Sequence, residues 1–362
     1  MSYTAHEWHN DRKQVKEVRV LNEYLSRKRM IYKKESLTLN AEYFTIMNKY
    51  VQFLLRFFRK EPAKEPAKEP AKNVALVLGG GGARGFAHIG AIEALEAHGY
   101  KITSIAGTSM GALVGGLYVC GKLDKAKEII LELSRKKILS LIDISPGLDH
   151  IATADKLTEL ITSLTDNVPI EHLPIPFCCV ASDLVSGKEQ VFDKGSLAQA
   201  IRCSISIPGL FSPVHLNGHV FVDGSVHNTL PLNRIRRNKG DLLVAVNASA
   251  PEDPTLVNTQ VRSQEDADFW NRIIHKLPLI KSKLSDNFLM MALRLCQMVV
   301  EANTEAAMKD APPDICIDVP INRYGILEFD RGKEIIEYGR SRMEEILTRL
   351  QNNQQNGKQS FP

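Results

Sequence analysis

The sequence predicts an α/β fold with a mostly parallel central sheet and helices on both faces, preceded by a helical N-terminal extension. Short apolar segments alternate with helical segments after residue 72, and these apolar segments show no polar alternation. A proline-rich repeat separates this region from the residues before it. Uninterrupted apolar strands between helices are typical of a parallel sheet that is buried on both faces.

Composition narrows the class of protein. The chain has 362 residues, of which 44% are hydrophobic and 24% are charged, as in ordinary globular domains. Its six cysteines include no CxxC pair, so we expect no metal site and no disulfide framework. The first residues contain no apolar signal-peptide core, and no run of about 18 apolar residues occurs. We therefore expect a cytoplasmic protein without a transmembrane helix.

Residues 1–60 are predicted to be a basic amphipathic helical region. Residues 1–72 contain 16 Lys and Arg against nine Asp and Glu, and residues 41–60 carry an apolar stripe at helical spacing. Such a helix suits the interface of an anionic membrane, which makes peripheral membrane association through this segment one prediction. Packing of the same stripe on the main domain, or on a second copy, fits the spacing equally well.

The segment 61–72 reads EPAKEPAKEPAK, three copies of one tetrapeptide. A proline every four residues removes the N–H groups that a helix needs, so this segment is predicted to be an extended linker. The main domain then covers 73–350, and 351–362 forms a polar tail.

The main domain alternates strands and helices along the chain. The predicted strands are 74–78, 102–106, 177–184 and 242–249, and the predicted helices are 85–99, a helix from 110, 123–138, 153–164, 196–206 and 330–350. Asn217 and Gly218 predict a hairpin, because this pair favours a type I′ turn. Residues 252–312 are predicted to be helical, either as an insertion or lid or as ordinary core helices.

A glycine-rich loop at 78–85, LGGGGARG, follows the first predicted strand and opens a helix. Main-chain N–H groups that converge at a helix N-terminus favour an anion. Gly80, Gly82 and Gly85 fit the GxGxxG pattern of dinucleotide sites, but that interpretation needs an acidic residue at the end of the second strand. Residues 100–108 contain none.

The second predicted strand instead runs into GTSMG, a GxSxG sequence in which Gly107 and Gly111 flank Ser109. A nucleophile at a sharp strand-to-helix turn sits in strained backbone and needs small neighbours, so Ser109 is the predicted nucleophile. The glycine loop would supply the oxyanion hole.

A serine nucleophile needs a base, and the sequence offers two kinds. Asp223, followed by Gly224, ends the apolar strand 220–222, where a carboxylate can point into a cleft, although Asp-Gly is also a common turn dipeptide. A serine–aspartate–histidine order would instead use a downstream histidine. The candidates are His150, His172, His215, His219, His227 and His275.

Taken together, these motifs resemble the patatin-like phospholipase family, whose pattern combines GGGxRG, GxSxG and an Asp-Gly dipeptide. They correspond here to 80–85, 107–111 and 223–224. The segments 181–192 and 200–214 resemble further blocks of the family, and the helix after Asp330 resembles its last helix. The resemblance covers roughly 73–250 and not the first 72 residues. Ser225 departs from it, since the family more often has Gly or Ala there.

The resemblance implies a three-layer α/β/α catalytic domain over 73–350 and a calcium-independent lipid acyl hydrolase without a cofactor, of the phospholipase A or lysophospholipase type. Its substrate would be a phospholipid or lysophospholipid, and no nucleic-acid partner is expected because the main domain is acidic. Acyl transfer to another alcohol, or an interaction protein with a vestigial hydrolase fold, are the alternatives.

The resemblance also implies residue roles. Ser109 would be the nucleophile and Asp223 the general base and acid of a dyad without histidine. The oxyanion hole would be formed by Gly80, Gly81 and Gly82, in which Gly81 and Gly82 donate N–H groups and Gly80 shapes the turn. Supporting roles would fall to Arg84, Gly85, Gly107, Gly111 and Gly224. Arg84 is expected either to be solvent-exposed or to orient the loop or contact lipid phosphate, and His88 is expected to serve packing.

Overall fold

The computed structural model describes residues 72–134, 137–138, 152–256 and 286–355. The predicted N-terminal region 1–60, most of the predicted linker and the end of the polar tail lie outside the described residues. The first strand begins at Lys72, where the EPAK repeat ends.

The strands are β1 (Lys72–Leu78), β2 (Tyr100–Thr108), β3 (Phe177–Asp183), β4 (Lys188–Phe192), β5 (Val214–Leu216), β6 (His219–Asp223), β7 (Leu242–Ala250) and β8 (Ile315–Pro320). The α-helices are α1 (Ala87–Ala97), α2 (Met110–Val119), α3 (Leu123–Leu131), α4 (Asp155–Thr165), α5 (Leu197–Ser204), α6 (Asp286–Asp310) and α7 (Gly332–Gln355). A 3₁₀ turn, Gly82–Phe86, precedes α1.

These strands form one sheet in the order β5-β6-β3-β2-β1-β7-β8, with β4 also paired to β3. The neighbours β3, β2, β1, β7 and β8 run parallel, whereas β4 and β6 run antiparallel to β3, and β5 runs antiparallel to β6. The predicted mostly parallel sheet is therefore confirmed, with its antiparallel strands gathered beside β3.

The centre of the sheet is buried on both faces, as its apolar sequence predicts. Val74, Leu76 and Leu78 of β1 pack in a core with residues of α1, α2, α5 and α7. Val77, from the opposite face, packs in a second core formed with the segment 230–235 and the end of α6. Helices therefore cover both faces of the sheet.

Several boundaries differ from the predicted ones. The predicted helix 123–138 ends as α3 at Leu131, and 252–256 are not helical, although α6 confirms helix within 252–312. Two strands were not predicted: β4, which has no buried residue, and β8, which lies between the predicted helical stretch 252–312 and the predicted helix 330–350. Within the described residues, no helix is long and apolar enough to cross a membrane.

Candidate active site

The strand register brings Ser109 and Asp223 to the same level of the sheet. Thr108, the last residue of β2, is paired with Val180 of β3, so Ser109 follows at the level of Ala181. On the other side of β3, Ala181 is paired with Asp223 at the end of β6. The two residues therefore flank β3, although more than a hundred residues separate them in the sequence.

Ser109 occupies the sharp turn that the GxSxG pattern predicts. It precedes α2 with φ 53° and ψ −121°, a conformation that residues with a side chain adopt only when their surroundings impose it. A side chain at Gly111 would collide with the carbonyl of Leu78, and one at Gly107 would collide with the main chain of Gly111. Both flanking glycines are therefore required by close backbone packing.

Asp223 is buried beside this turn. Its carboxylate accepts a hydrogen bond from the N–H of Ser225 at 2.8 Å, and the Ser109 side chain is close enough to influence its pKa. Burial raises the pKa of Asp223 to about 6, and the hydrogen bonds from Ser109 and Ser225 oppose that rise. Such a carboxylate is ionised at neutral pH and is a better proton acceptor than an ordinary aspartate.

The alternative histidine base finds no support among the described residues, since none of their histidines bonds to Ser109. His219 Nδ1 lies 2.8 Å from an oxygen of Asp183, and His227 lies 3.2 Å from the carbonyl of Gly187. His150 and His275 fall outside the described residues.

The glycine loop lies against the dyad. The Gly80 N–H donates to the carbonyl of Thr229 at 2.9 Å, so this N–H is not free to bind an oxyanion. The N–H groups of Gly81 and Gly82 bond to no acceptor within the described residues. Gly82 has φ 57°, which favours glycine, and lies in the wall of the same cavity as Ser109.

Two side chains hold this loop from inside the protein. Arg84 is buried, and its Nε donates to the carbonyl of Ala248 at 2.7 Å, so the predicted alternative of solvent exposure is wrong. Burial lowers the pKa of Arg84 to about 10, which leaves it charged at neutral pH. His88 is fully buried with Nε2 2.8 Å from the carbonyl of Gly79, and burial lowers its pKa to about 4. A neutral His88 therefore supports the start of the loop.

The remaining predicted residues are part of the same framework. A side chain at Gly85 would collide with Met110, next to the nucleophile, and one at Gly224 would collide with the carbonyl of Val180. The hydroxyl of Thr108 donates to the carbonyl of Asn228 at 2.8 Å, which ties the strand before Ser109 to the loop after Asp223.

An apolar cavity of about 150 Å³ opens at Ser109. Its wall includes side chains of α3 and α4, among them Ile129, Ile130, Leu157, Leu160, Ile161 and Leu164. Both helices are predicted from the sequence, but no function is predicted for them. The apolar stripes on α3 and α4 were the available signal, but such a stripe is equally typical of a helix packed on a core.

Comparisons with known proteins agree with this arrangement. The sequence profile described as "Patatin-like phospholipase" matches residues 76–234, which include the glycine loop, Ser109 and Asp223. An uncharacterised NTE family protein of Mycobacterium bovis is 44% identical over 179 residues, which are 49% of this chain and 50% of that protein. Lysophospholipase NTE1 of Debaryomyces hansenii is 28% identical over 282 residues, 76% of this chain but 18% of the yeast protein.

The chain therefore spans about half of the mycobacterial relative and a smaller part of the yeast enzyme. Among solved structures, VipD from Legionella pneumophila aligns with a TM-score of 0.38 at 17% identity, covering 77% of this chain and 67% of VipD. The structure shows a mostly parallel α/β sheet with a serine turn after the central strand β2, and the profile match gives the family that this part of the chain resembles. Residues 76–234 are thus similar to the patatin-like phospholipase family.

Proposed function

We propose that this chain is a lipid acyl hydrolase in which Ser109 is the nucleophile and Asp223 is the general base. The observation that carries the proposal is the pairing of the Ser109 hydroxyl with a buried carboxylate at an apolar cavity. A polar pair of this kind is suited to attack an ester, and the cavity is suited to hold the acyl chain beside it.

The reaction follows from the positions of these groups. Asp223 takes the proton of the Ser109 hydroxyl as its oxygen attacks the ester carbonyl carbon. The N–H groups of Gly81 and Gly82 stabilise the oxyanion, and loss of one such donor typically costs about 2.7–4 kcal/mol of transition-state stabilisation. The C–O bond of the ester then breaks, and the departing alcohol takes the proton from Asp223. In the second half of the cycle, water loses a proton to Asp223 and attacks the acyl carbon. The bond from that carbon to Ser109 Oγ breaks, and Asp223 returns the proton to Ser109 as the fatty acid leaves.

The predicted substrate is a phospholipid or a lysophospholipid. The wall of the cavity is almost entirely apolar, so each buried CH₂ of an acyl chain contributes about 0.8 kcal/mol to binding. The name of the yeast relative, a lysophospholipase, supports the same class of substrate.

Exposed apolar side chains near the site support a substrate taken from a lipid surface. Leu184 and Val185 lie at the tip of the β3–β4 hairpin, where the carbonyl of Gly187 contacts His227 in the segment that follows Asp223. Leu295 and Met298 are exposed on α6, which bonds through Asn303 to the carbonyl of Val226 in that same segment.

The basic region 1–60 is proposed to add electrostatic attraction to anionic lipid, and a truncation tests this role. Residues from Pro70 onwards form a compact unit of their own, so a chain that starts at Pro70 is the natural comparison. We expect it to bind anionic vesicles more weakly than the full chain in a flotation assay, and to bind neutral vesicles equally. Equal binding of both chains to anionic vesicles would remove this role.

The hydrolase proposal is tested by mass spectrometry of mixed phospholipid and lysophospholipid vesicles after incubation with the wild type or Ser109→Ala. We expect free fatty acid with the wild type and none above background with the variant. The products would also identify the preferred head group and position. Equal release by both proteins, or no release by either, would contradict the proposal.

A further inference from the structure

The end of α5 and the residues after it contact the main chain of both dyad residues. The N–H of Ser109 donates to the Ser204 hydroxyl at 2.8 Å, and the N–H of Asp223 donates to the carbonyl of Ser206 at 2.8 Å. Ser204 and Ser206 are both fully buried. One short segment therefore supports the nucleophile and the base together.

The Ser204 hydroxyl also reaches the strand between them. It donates its proton to the carbonyl of Val180 in β3 at 2.6 Å, which leaves its lone pairs to accept from Ser109. The carbonyl of Val180 packs closely against Gly224, the neighbour of Asp223. The Ser204 hydroxyl therefore links the main chain of Ser109 to β3, the strand that contacts Gly224 after the base.

The backbone of Ser109 depends on such a link because its conformation is strained. Within the described residues, its N–H has no other acceptor. Removal of the Ser204 hydroxyl would leave a buried donor unpaired, and the turn could then relax towards a less strained geometry.

We propose that Ser204 is a positioning residue whose hydroxyl fixes the separation and orientation of the Ser109 hydroxyl relative to the Asp223 carboxylate. The inference rests on the proposed function, since it assigns the geometry of that dyad to one further side chain. Ser204 takes no part in bond making. Its effect is therefore on the rate of the chemical step, with little effect on binding of the acyl chain.

The test compares Ser204→Ala with Ser182→Ala as a matched control. Ser182 is also a fully buried serine, but its hydroxyl has no partner in the described part of the chain. On a short, soluble acyl ester, we expect kcat of Ser204→Ala to fall roughly 10- to 100-fold with KM almost unchanged. Ser182→Ala should keep the kcat of the wild type, and thermal unfolding shows whether each variant is folded.

The pH profile separates positioning from a general loss of folded protein. Asp223 is faced by the hydroxyls of Ser109 and Ser225 and by the nearby Cys296 thiol of α6. Because the hydrogen bond from Ser109 lowers the pKa of Asp223, a displaced turn should move the acidic limb of the profile to higher pH. A smaller fraction of folded enzyme would lower the activity by the same factor at every pH and would not move this limb.

Labelling with a fluorophosphonate measures the reactivity of Ser109 without any lipid. We expect Ser204→Ala to label more slowly than the wild type and Ser182→Ala to label equally fast. If Ser204→Ala does not fold, Ser204→Cys carries the test, because it fills the same space with a weaker hydrogen-bonding group and should react at an intermediate rate.

The outcomes distinguish the two proposals. Folded Ser204 variants with the kcat, acidic limb and labelling rate of the wild type would overturn the positioning role. A wild type that labels at Ser109 but cleaves no lipid ester would overturn the proposed substrate class, and the labelling rates would still decide the role of Ser204. A wild type that does not label at Ser109 would overturn both.

Discussion

The two walls of the site are built in different ways. The polar wall, Ser109 with Asp223 and the loop Gly80–Gly82, is held by hydrogen bonds from main-chain N–H groups, among them the bond from Ser109 to the Ser204 hydroxyl. The apolar wall, the cavity side of α3 and α4, is made of aliphatic side chains and requires only a matching volume. Changes in the polar wall should therefore alter the rate, whereas changes in the apolar wall should alter the choice of acyl chain.

The largest expected effect is that of Asp223→Asn on the rate. General base catalysis contributes typically 10²- to 10⁴-fold, so kcat on a lysophospholipid should fall by about that factor. The preference for acyl-chain length should stay as in the wild type. Turnover that remains near the wild-type value would show that Asp223 is not the base.

The same variant should gain stability. The pKa of Asp223 lies at about 6 in the folded protein against 3.8 as its reference value. The folded state therefore loses stability as the pH rises through this interval, because ionisation is less favourable inside the protein. Relative to the wild type, the free energy of unfolding of Asp223→Asn should increase by up to about 3 kcal/mol above pH 7 and by little near pH 4. Urea unfolding at both pH values measures this difference.

A substitution in the apolar wall should instead change the preference for acyl-chain length and leave the reactivity of Ser109 unchanged. Leu160→Trp would reduce the cavity, so kcat/KM for a long-chain ester should fall by about 10- to 100-fold relative to that for a short-chain ester. The rate of fluorophosphonate labelling by a short reagent should not change. Glu159→Trp, on the exposed side of α4, is the control and should leave both esters unaffected. Equal losses for both esters would mean that the acyl chain does not occupy this cavity.

Asp223 accepts a hydrogen bond from the Ser225 N–H, which alanine keeps, so the smallest expected effect lies in the separate hydrogen bond from the Ser225 hydroxyl. This bond lowers the pKa of Asp223, so Ser225→Ala should move the acidic limb of kcat/KM to higher pH. The variant should lose activity near pH 6 and match the wild type near pH 8, where Asp223 is ionised in both. A limb that moves to lower pH, or does not move, would show that Ser225 has no such influence.

The contrast between the polar and the apolar wall also explains which parts of the site could be predicted from the sequence. Ser109 and the glycine loop lie at strand-to-helix junctions and are recognisable from local spacing, and the Asn217-Gly218 turn is likewise a local feature. Their mutual arrangement depends on the register of β2, β3 and β6, which no short motif encodes. The cavity depends on how α3 and α4 pack, and an apolar stripe does not reveal whether it faces a core or an empty space.

Ser204 illustrates a further limit. Buried serines are common. The sequence of the segment 200–214 does not distinguish Ser204, whose hydroxyl accepts a hydrogen bond from the N–H of Ser109, from Ser206, which lies two residues away. Arg84 shows the same limit, since arginine is mostly exposed in proteins, and only the fold shows that this one is buried and bonded to the carbonyl groups of Ala248 and Tyr324. Both roles arise from contacts between residues far apart in the chain.

The most direct test of the central claim, that Ser109 attacks an acyl group held in the apolar cavity, uses long-chain and short-chain alkyl fluorophosphonates. Peptide mapping would identify the modified residue, and time courses would give the rate for each reagent. We predict an adduct on Ser109 that forms faster with the long-chain reagent, with this advantage lost in Leu160→Trp. An adduct on another residue, or a rate independent of chain length, would contradict the account.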